Sequence, residues 1–163
     1  MELNIMNETD WPAVESIYLQ GIATGHATFQ TEAPSWEDWN RSHLGHSRFL
    51  ASIDGHIAGW AALSPVSSRC VYAGVAEVSI YIEERYRGKG VGDFLMSALI
   101  ASSEKQGLWT LQSGIFPENE ASIRLHKKHG FRKLGYREKI GKHGSIWRDT
   151  ILMERRSKVV GID

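Results

Sequence analysis

Between Glu83 and Leu95 the chain reads EERYRGKGVGDFL, with Gly88, Gly90 and Gly92 at alternate positions just ahead of an apolar periodic stretch. Residues without a Cβ let consecutive backbone N–H groups turn toward one point, and a helix that starts there adds its partial positive charge. Arg87 and Lys89 contribute full charges, so the segment suits an anion such as a phosphate. It is not a Walker A loop, because Lys89 is followed by Gly90 rather than Ser or Thr. It is not a dinucleotide fingerprint either. Glu83 to Arg87 separate the first glycine from the preceding apolar run, and the next strand candidate ends in Phe116-Pro117 with no acidic residue at its tip.

The second chemically suggestive residue is Glu77, inside the apolar run GVAEVSIYI. A carboxylate there is costly unless it is paired or faces a wet cleft. Next to an anion-binding loop it is a candidate general base, with a structural carboxylate paired to an Arg as the alternative. Cys70 could be a nucleophile only with a lowered pKa and a nearby base, and SSRCVYAG supplies nothing but Arg69, so a buried or inert thiol is expected. His43 with His46, and His126 with His129, have helical spacing. Without a supporting Cys or carboxylate pattern, solvated helix faces are expected there rather than a metal site.

The elements that must position these groups alternate unevenly. Leu3 to Met6 reads as a short strand, and Trp11-Pro12 after Glu8-Thr9-Asp10 as a helix start continued by Val14, Ile17 and Tyr18. Ser35 can cap a second helix with Asp38 three residues on. Arg48 to Ile53, Asp54-Gly55, and His56 to Leu63 read as a hairpin. Val75 to Ile82 is nearly continuous in apolar and β-prone residues, as in a central strand buried on both faces. Period two puts Val75, Glu77, Ser79 and Tyr81 on one face. Val91, Phe94, Leu95, Ala98 and Leu99 keep helical spacing toward Gly107. Trp109 to Ile115 is a further strand, Asn119 to His129 a helix with Asn as N-cap and Gly130 as stop, and Phe131 to Lys139 with Ile146 to Glu154 a closing pair. An early hairpin, one strand-helix-strand crossover and a terminal hairpin make the fold α+β.

The chain has 163 residues, and no linker-like composition shift divides it, so a single domain over 1–163 is expected. Nineteen Lys plus Arg against nineteen Asp plus Glu gives zero formal charge, which provides no field for a nucleic-acid partner. No stretch reaches the roughly 18 apolar residues of a membrane span, and the N-terminus does not read as a signal peptide. With a lone Cys70, a cytoplasmic protein is expected.

Arg87, Gly90 and Gly92 match, position for position, the R/Q-x-x-G-x-G/A segment of the GNAT superfamily of acyl-CoA N-acyltransferases. Asn119, Ser122, Leu125, Lys128, Gly130 and Phe131 resemble its N-x-x-A/S-x-x-L-Y-x-K-x-G-F helix, with His126 in place of Tyr. Within that superfamily, NEASIRLHKKHGF, AEVSIYI and ATFQTEAPSWEDW resemble the phosphinothricin and methionine sulfoximine N-acetyltransferase group. The resemblance implies a mixed, mostly antiparallel central sheet flanked by helices, with the parallel crossover carrying the pyrophosphate loop. It also implies acetyl-CoA as co-substrate, no metal, and direct transfer to the amine of a small amino acid derivative in a ternary complex. Arg87, Gly88, Lys89, Gly90, Val91 and Gly92 would hold the pyrophosphate, with Asn119 and Ser122 as further contacts. The backbone of Ile80, Tyr81 and Ile82 would align the pantetheine arm, and the N–H of Ile80 would meet the oxyanion.

An acceptor amine is mostly protonated at neutral pH, so a base must remove its proton, and that role falls to Glu77. His126 takes the position of the family's acid toward the leaving thiolate, with a plain CoA contact as its alternative. For the acceptor, Phe29, Thr31, Arg69, Tyr72, Val75 and Lys142 are the candidates. The group carries Thr-Val before its Glu where this chain has Val75-Ala76, which removes a hydroxyl beside the base. A polyamine, aminoglycoside or protein N-terminus is the alternative acceptor, and an acidic pocket from Glu32, Glu37 and Asp38 would favour it. A non-catalytic acyl-CoA-binding module is the alternative of another class. The partner implied is the small-molecule amine, and the assembly stays open, with a homodimer as one form.

Overall fold

Asp54-Gly55 reverses the chain with φ values of 50° and 80°, the two positive angles that a type I′ hairpin turn requires. The turn joins β2 (Phe49–Ile53) to β3 (His56–Pro65), and β1 (Glu2–Ile5) pairs antiparallel with β2 on the outside. β4 (Val75–Ile82) runs antiparallel along β3. The computed structural model describes residues 1–163, and all seven strands lie in one sheet, ordered β1-β2-β3-β4-β5-β7-β6. β5 (Thr110–Ile115) is parallel to β4, so the chain must cross over between them, which it does through α3 (Val91–Lys105). The expected single parallel crossover in a mostly antiparallel sheet is present. β7 (Ile146–Arg156) returns between β5 and β6 (Arg132–His143).

The helices begin and end where the side chains demand it. Before α1 (Trp11–Ala23) the Asp10 carboxylate accepts the Asn7 N–H at 2.8 Å, and Pro12 occupies the first turn. Ser35 Oγ accepts the Asp38 N–H at 3.2 Å to open α2 (Trp36–Ser42). Asn119 Oδ1 does the same for Ser122 at the start of α4 (Glu120–Lys128), and Gly130 follows the helix at φ 86°.

Period two along the strands divides the core between the two faces. Leu50, Trp60 and Ala62 pack under α1 and α2 with Trp11, Val14, Ile17, Tyr18 and Trp39. Ala61, Leu63, Ala76 and Val78 pack under α3 with Leu95, Met96 and Leu99. Leu63, Leu95, Met96 and Leu99 are fully buried, and each such side chain contributes about 1.5–3 kcal/mol by leaving water. The closing hairpin is longer than its apolar pattern predicts. Its alternation breaks at an irregularity between Arg137 and Gly141, where Lys139 has φ 46°, and pairing resumes to His143. No helix is long and apolar enough to cross a membrane.

Candidate active site

β4 and β5 pair at only three positions, Val75 with Thr110, Ala76 with Leu111 and Glu77 with Gln112. Beyond them β4 stays with β3 as far as Ile82, while β5 follows β7 to Ile115, so the sheet splits. The edge of β4 from Val78 to Ile82 therefore offers backbone donors and acceptors to whatever enters the gap. The expectation that β4 is buried on both faces is corrected accordingly. Ala76 and Val78 are buried under α3, but Glu77, Ser79 and the residues to Ile82 are only half-buried, because β5 peels away.

A cavity of about 1110 Å³ occupies the split and continues to the glycine segment. Of the residues expected to hold a cofactor, Ile80, Tyr81, Ile82, Arg87, Gly88, Gly90, Val91, Gly92, Asn119 and Ser122 line it. Gly88 and Gly90 have φ of 72° and 83°, and a Cβ on either would meet no atom within 4 Å. Their requirement is conformational. At Gly92 the requirement is space, since a Cβ there would stand 3.2 Å from Leu125 Cδ2 of α4. No side chain caps α3, which leaves its first N–H groups free for an anion. Lys89 is the exception among the expected residues. It does not line the cavity, and its Nζ lies over the Tyr86 ring at 5.4 Å. Asp93 and Arg124, which no motif marks, also line it, as does Lys128 of the signature helix, to which the sequence assigns no contact. The Asp93 carboxylate accepts from His129 Nε2 at 2.9 Å and Lys128 Nζ at 3.0 Å, and these hydrogen bonds hold its pKa below the usual value.

Glu77 lies at the last β4–β5 pair, lines the cavity and makes no ion pair. Burial raises its pKa above the ordinary glutamate value, and a hydrogen bond with Gln112 and the positive charge of Arg137 pull the other way. His126 is 3% exposed and stands edge-on to Phe131. Its Nδ1 lies 2.7 Å from the Ser122 carbonyl, which can only accept, so Nδ1 carries the hydrogen and the unpartnered Nε2 carries the lone pair. Burial lowers its pKa and favours this neutral form. The histidine pairs are therefore not on solvated faces. His43 stacks on Trp39 at 4.0 Å with Nδ1 held by the Trp39 carbonyl, and His129 is bound to Asp93. No three His, Cys, Asp or Glu side chains converge as metal ligands would.

At the acceptor end only Phe29 of the expected residues lines the cavity, edge-on to Phe116 at 4.8 Å and against the bare Cα of Gly141. Thr31, Arg69, Tyr72, Val75 and Lys142 do not. Arg69 lies 5.5 Å over the Tyr72 ring on the exposed β3–β4 connection, and Lys142 Nζ 5.0 Å over Trp147. Of the acidic set, Glu32 and Glu37 are exposed and away from the cavity, whereas Asp38 lines it and is paired with Arg41, so no acidic cluster forms there. Cys70 is exposed rather than buried and also lies outside. His26, Thr28, Phe116 and Glu118 line this end, and of these only Thr28 falls within a segment that the sequence marks, ATFQTEAPSWEDW.

A sheet split beside a glycine-rich helix start is the arrangement an acyl-CoA transferase needs, with an open strand edge for the acyl-bearing arm and an anion site for the pyrophosphate. The sequence profile of the acetyltransferase (GNAT) family matches residues 10–131, and the chain belongs to that family as an acetyl-CoA-dependent N-acetyltransferase. It is 32% identical to phosphinothricin N-acetyltransferase of Streptomyces coelicolor, covering 91% of each chain. It is 30% identical to the L-methionine sulfoximine/L-methionine sulfone acetyltransferase of Pseudomonas aeruginosa, covering 89% of this chain and 88% of that one. Among solved structures, the GNAT superfamily phosphinothricin acetyltransferase of Sinorhizobium meliloti in complex with acetyl-CoA superposes with TM-score 0.84 at 27% identity, over 99% of this chain and 96% of that one.

Proposed function

We propose that this enzyme acetylates the amine of a small amino acid derivative of the phosphinothricin or methionine sulfoximine kind, by direct transfer within the β4–β5 split. Bound acetyl-CoA supplies the activated acetyl thioester. Gly88 to Gly92 and the start of α3 hold its pyrophosphate with Arg87, and the open edge of β4 receives the pantetheine amides. The carrying observation is Glu77, a half-buried carboxylate without an ion pair where the strands part. Glu77 takes the proton of the acceptor ammonium, directly or through one water, and the freed amine attacks the acetyl carbon. The backbone N–H of Ile80 donates to the acetyl oxygen as it gains negative charge.

His126 takes the cofactor-contact role rather than that of acid. A neutral ring whose Nδ1 hydrogen is held by the Ser122 carbonyl, and whose Nε2 is bare and buried, has no proton to give the thiolate, so solvent supplies it. The activities for which these relatives are named support the acceptor class. A thiol-release assay with acetyl-CoA and a panel of amines tests it. Turnover is expected with phosphinothricin or methionine sulfoximine, and a preference for polyamines or aminoglycosides would contradict it.

Direct transfer makes a further demand. Cys70→Ala should keep wild-type turnover with sequential kinetics, since this exposed thiol lies outside the cavity and surface changes of this kind move stability by only about 0.5 kcal/mol. Acetylated Cys70 in a mass spectrum of enzyme mixed with acetyl-CoA would sink it. For the assembly we propose a homodimer as one form, for which the exposed Tyr136, Ile146 and Trp147 of the closing hairpin offer apolar surface. Sedimentation equilibrium showing a monomer at micromolar concentration would contradict that.

A further inference from the structure

The connection between α1 and α2, residues 24–35, contains no helix or strand. It nevertheless supplies His26, Thr28 and Phe29 to the acceptor end of the cavity. A loop of that length needs something to hold its shape. The side chain that holds it is Arg148 of β7, only 14% exposed. Its Nη1 donates to the Gly25 carbonyl at 2.9 Å and to His143 Nδ1 at 3.3 Å. Its Nη2 donates to His26 Nδ1 at 3.2 Å and to Glu118 Oε2 at 3.3 Å. The guanidinium carbon lies 4.0 Å from the centroid of the Phe116 ring.

These contacts draw three distant segments together: the loop after α1, the β5–α4 connection and the turn of the closing hairpin. A guanidinium only donates, so His26 and His143 must both present an unprotonated Nδ1. Only a planar fork can serve four acceptors in divergent directions while stacking on an aromatic ring, and a Lys ammonium cannot. On the cavity side of the same segments stand Phe29 and Phe116, ring against ring, with Glu118 beside them. Asn119, at the start of α4, donates from Nδ2 to the His26 carbonyl at 3.1 Å and so ties the loop to the cofactor side as well.

We infer that Arg148 is a positioning residue for the acceptor: it fixes the loop carrying His26 and Phe29 against Phe116 and thereby sets acceptor affinity, without touching acceptor or cofactor itself. The inference rests on the acceptor binding beside Glu77. Arg148→Met is expected to raise the acceptor KM about ten-fold or more, the scale of one lost charge-assisted hydrogen bond, with kcat at saturating acceptor and acetyl-CoA affinity by calorimetry within about three-fold. Arg148→Lys, which keeps the charge but not the fork, should raise the acceptor KM as well. If Arg148→Met fails to fold, His143→Ala, which removes one acceptor outside the cavity, should give a smaller rise in the same direction. An unchanged acceptor KM in folded variants, while Glu77→Gln still loses turnover, would overturn the clamp alone. A fall in acetyl-CoA affinity matching the loss of acceptor affinity would overturn it too, by making Arg148 a general structural residue. Full turnover by Glu77→Gln would remove the placement of the acceptor on which the clamp depends.

Discussion

Glu77→Gln is expected to cut turnover by about 10²–10⁴-fold, the usual range for loss of a general base, while acetyl-CoA affinity stays close to wild type. The amide keeps the size of the side chain and can still hydrogen-bond to Gln112, its partner across the ladder, so the strand split should survive. What it loses is the ability to take a proton from an ammonium. Cofactor binding lies elsewhere, on the glycine segment and the start of α3, so the two quantities separate. Thiol release and calorimetry on the same preparation check both. A variant with weakened acetyl-CoA binding and normal turnover at saturation would make Glu77 a structural carboxylate.

Gly90→Asp should cost the second largest effect, on the cofactor. A Cβ at this position meets nothing within 4 Å, but the backbone has φ 83°. An Asp therefore fits at a strain of about 1–2 kcal/mol and the protein stays folded. Its carboxylate then sits at the N-terminus of α3, where the pyrophosphate must bind. Two like charges about 4 Å apart near a surface repel by about 4 kcal/mol at most, so CoA affinity should fall by up to about 10³-fold. Gly90→Ala carries the strain without the charge and should lose only a few-fold. High salt should restore part of the Asp variant's loss and none of the Ala variant's. Gly92→Asp is the poorer probe, because its Cβ also presses on Leu125 and mixes packing with charge. Near-normal CoA binding by folded Gly90→Asp would move the pyrophosphate away from this loop.

The features legible in the sequence were those whose cause is local. Asp54-Gly55, Ser35 with Asp38, and Asn119 with Ser122 each determine a turn or cap within four residues, and each appears where expected. The glycine segment was legible because it needs only conformations and charges that its own residues provide. Lys89 shows the limit. Its charge was visible, but the direction of its side chain depends on Tyr86, and it turns away from the cavity. The acceptor end was largely illegible. Arg69, Tyr72 and Lys142 have suitable chemistry, yet the loop that lines this end is bound by Arg148, which reaches residues 122 and 123 positions away in sequence. No spacing rule reports such contacts. The depth of His126 was equally hidden, because it depends on the packing of α4 against the chain that follows it, including the edge of Phe131.

The most direct measurement of the central claim is the pH dependence of turnover in wild type and Glu77→Gln, each with saturating acetyl-CoA. The base must be deprotonated to act, so wild-type turnover should be lost as pH falls through the Glu77 pKa. Burial raises that pKa, so the limb should sit above the titration of an ordinary glutamate. In Glu77→Gln this limb should be absent, and the small remaining rate should climb with pH until the acceptor amine itself is neutral. An acidic limb of the same position and height in both proteins would show that another group accepts the proton, and would contradict the assignment of Glu77 as the base.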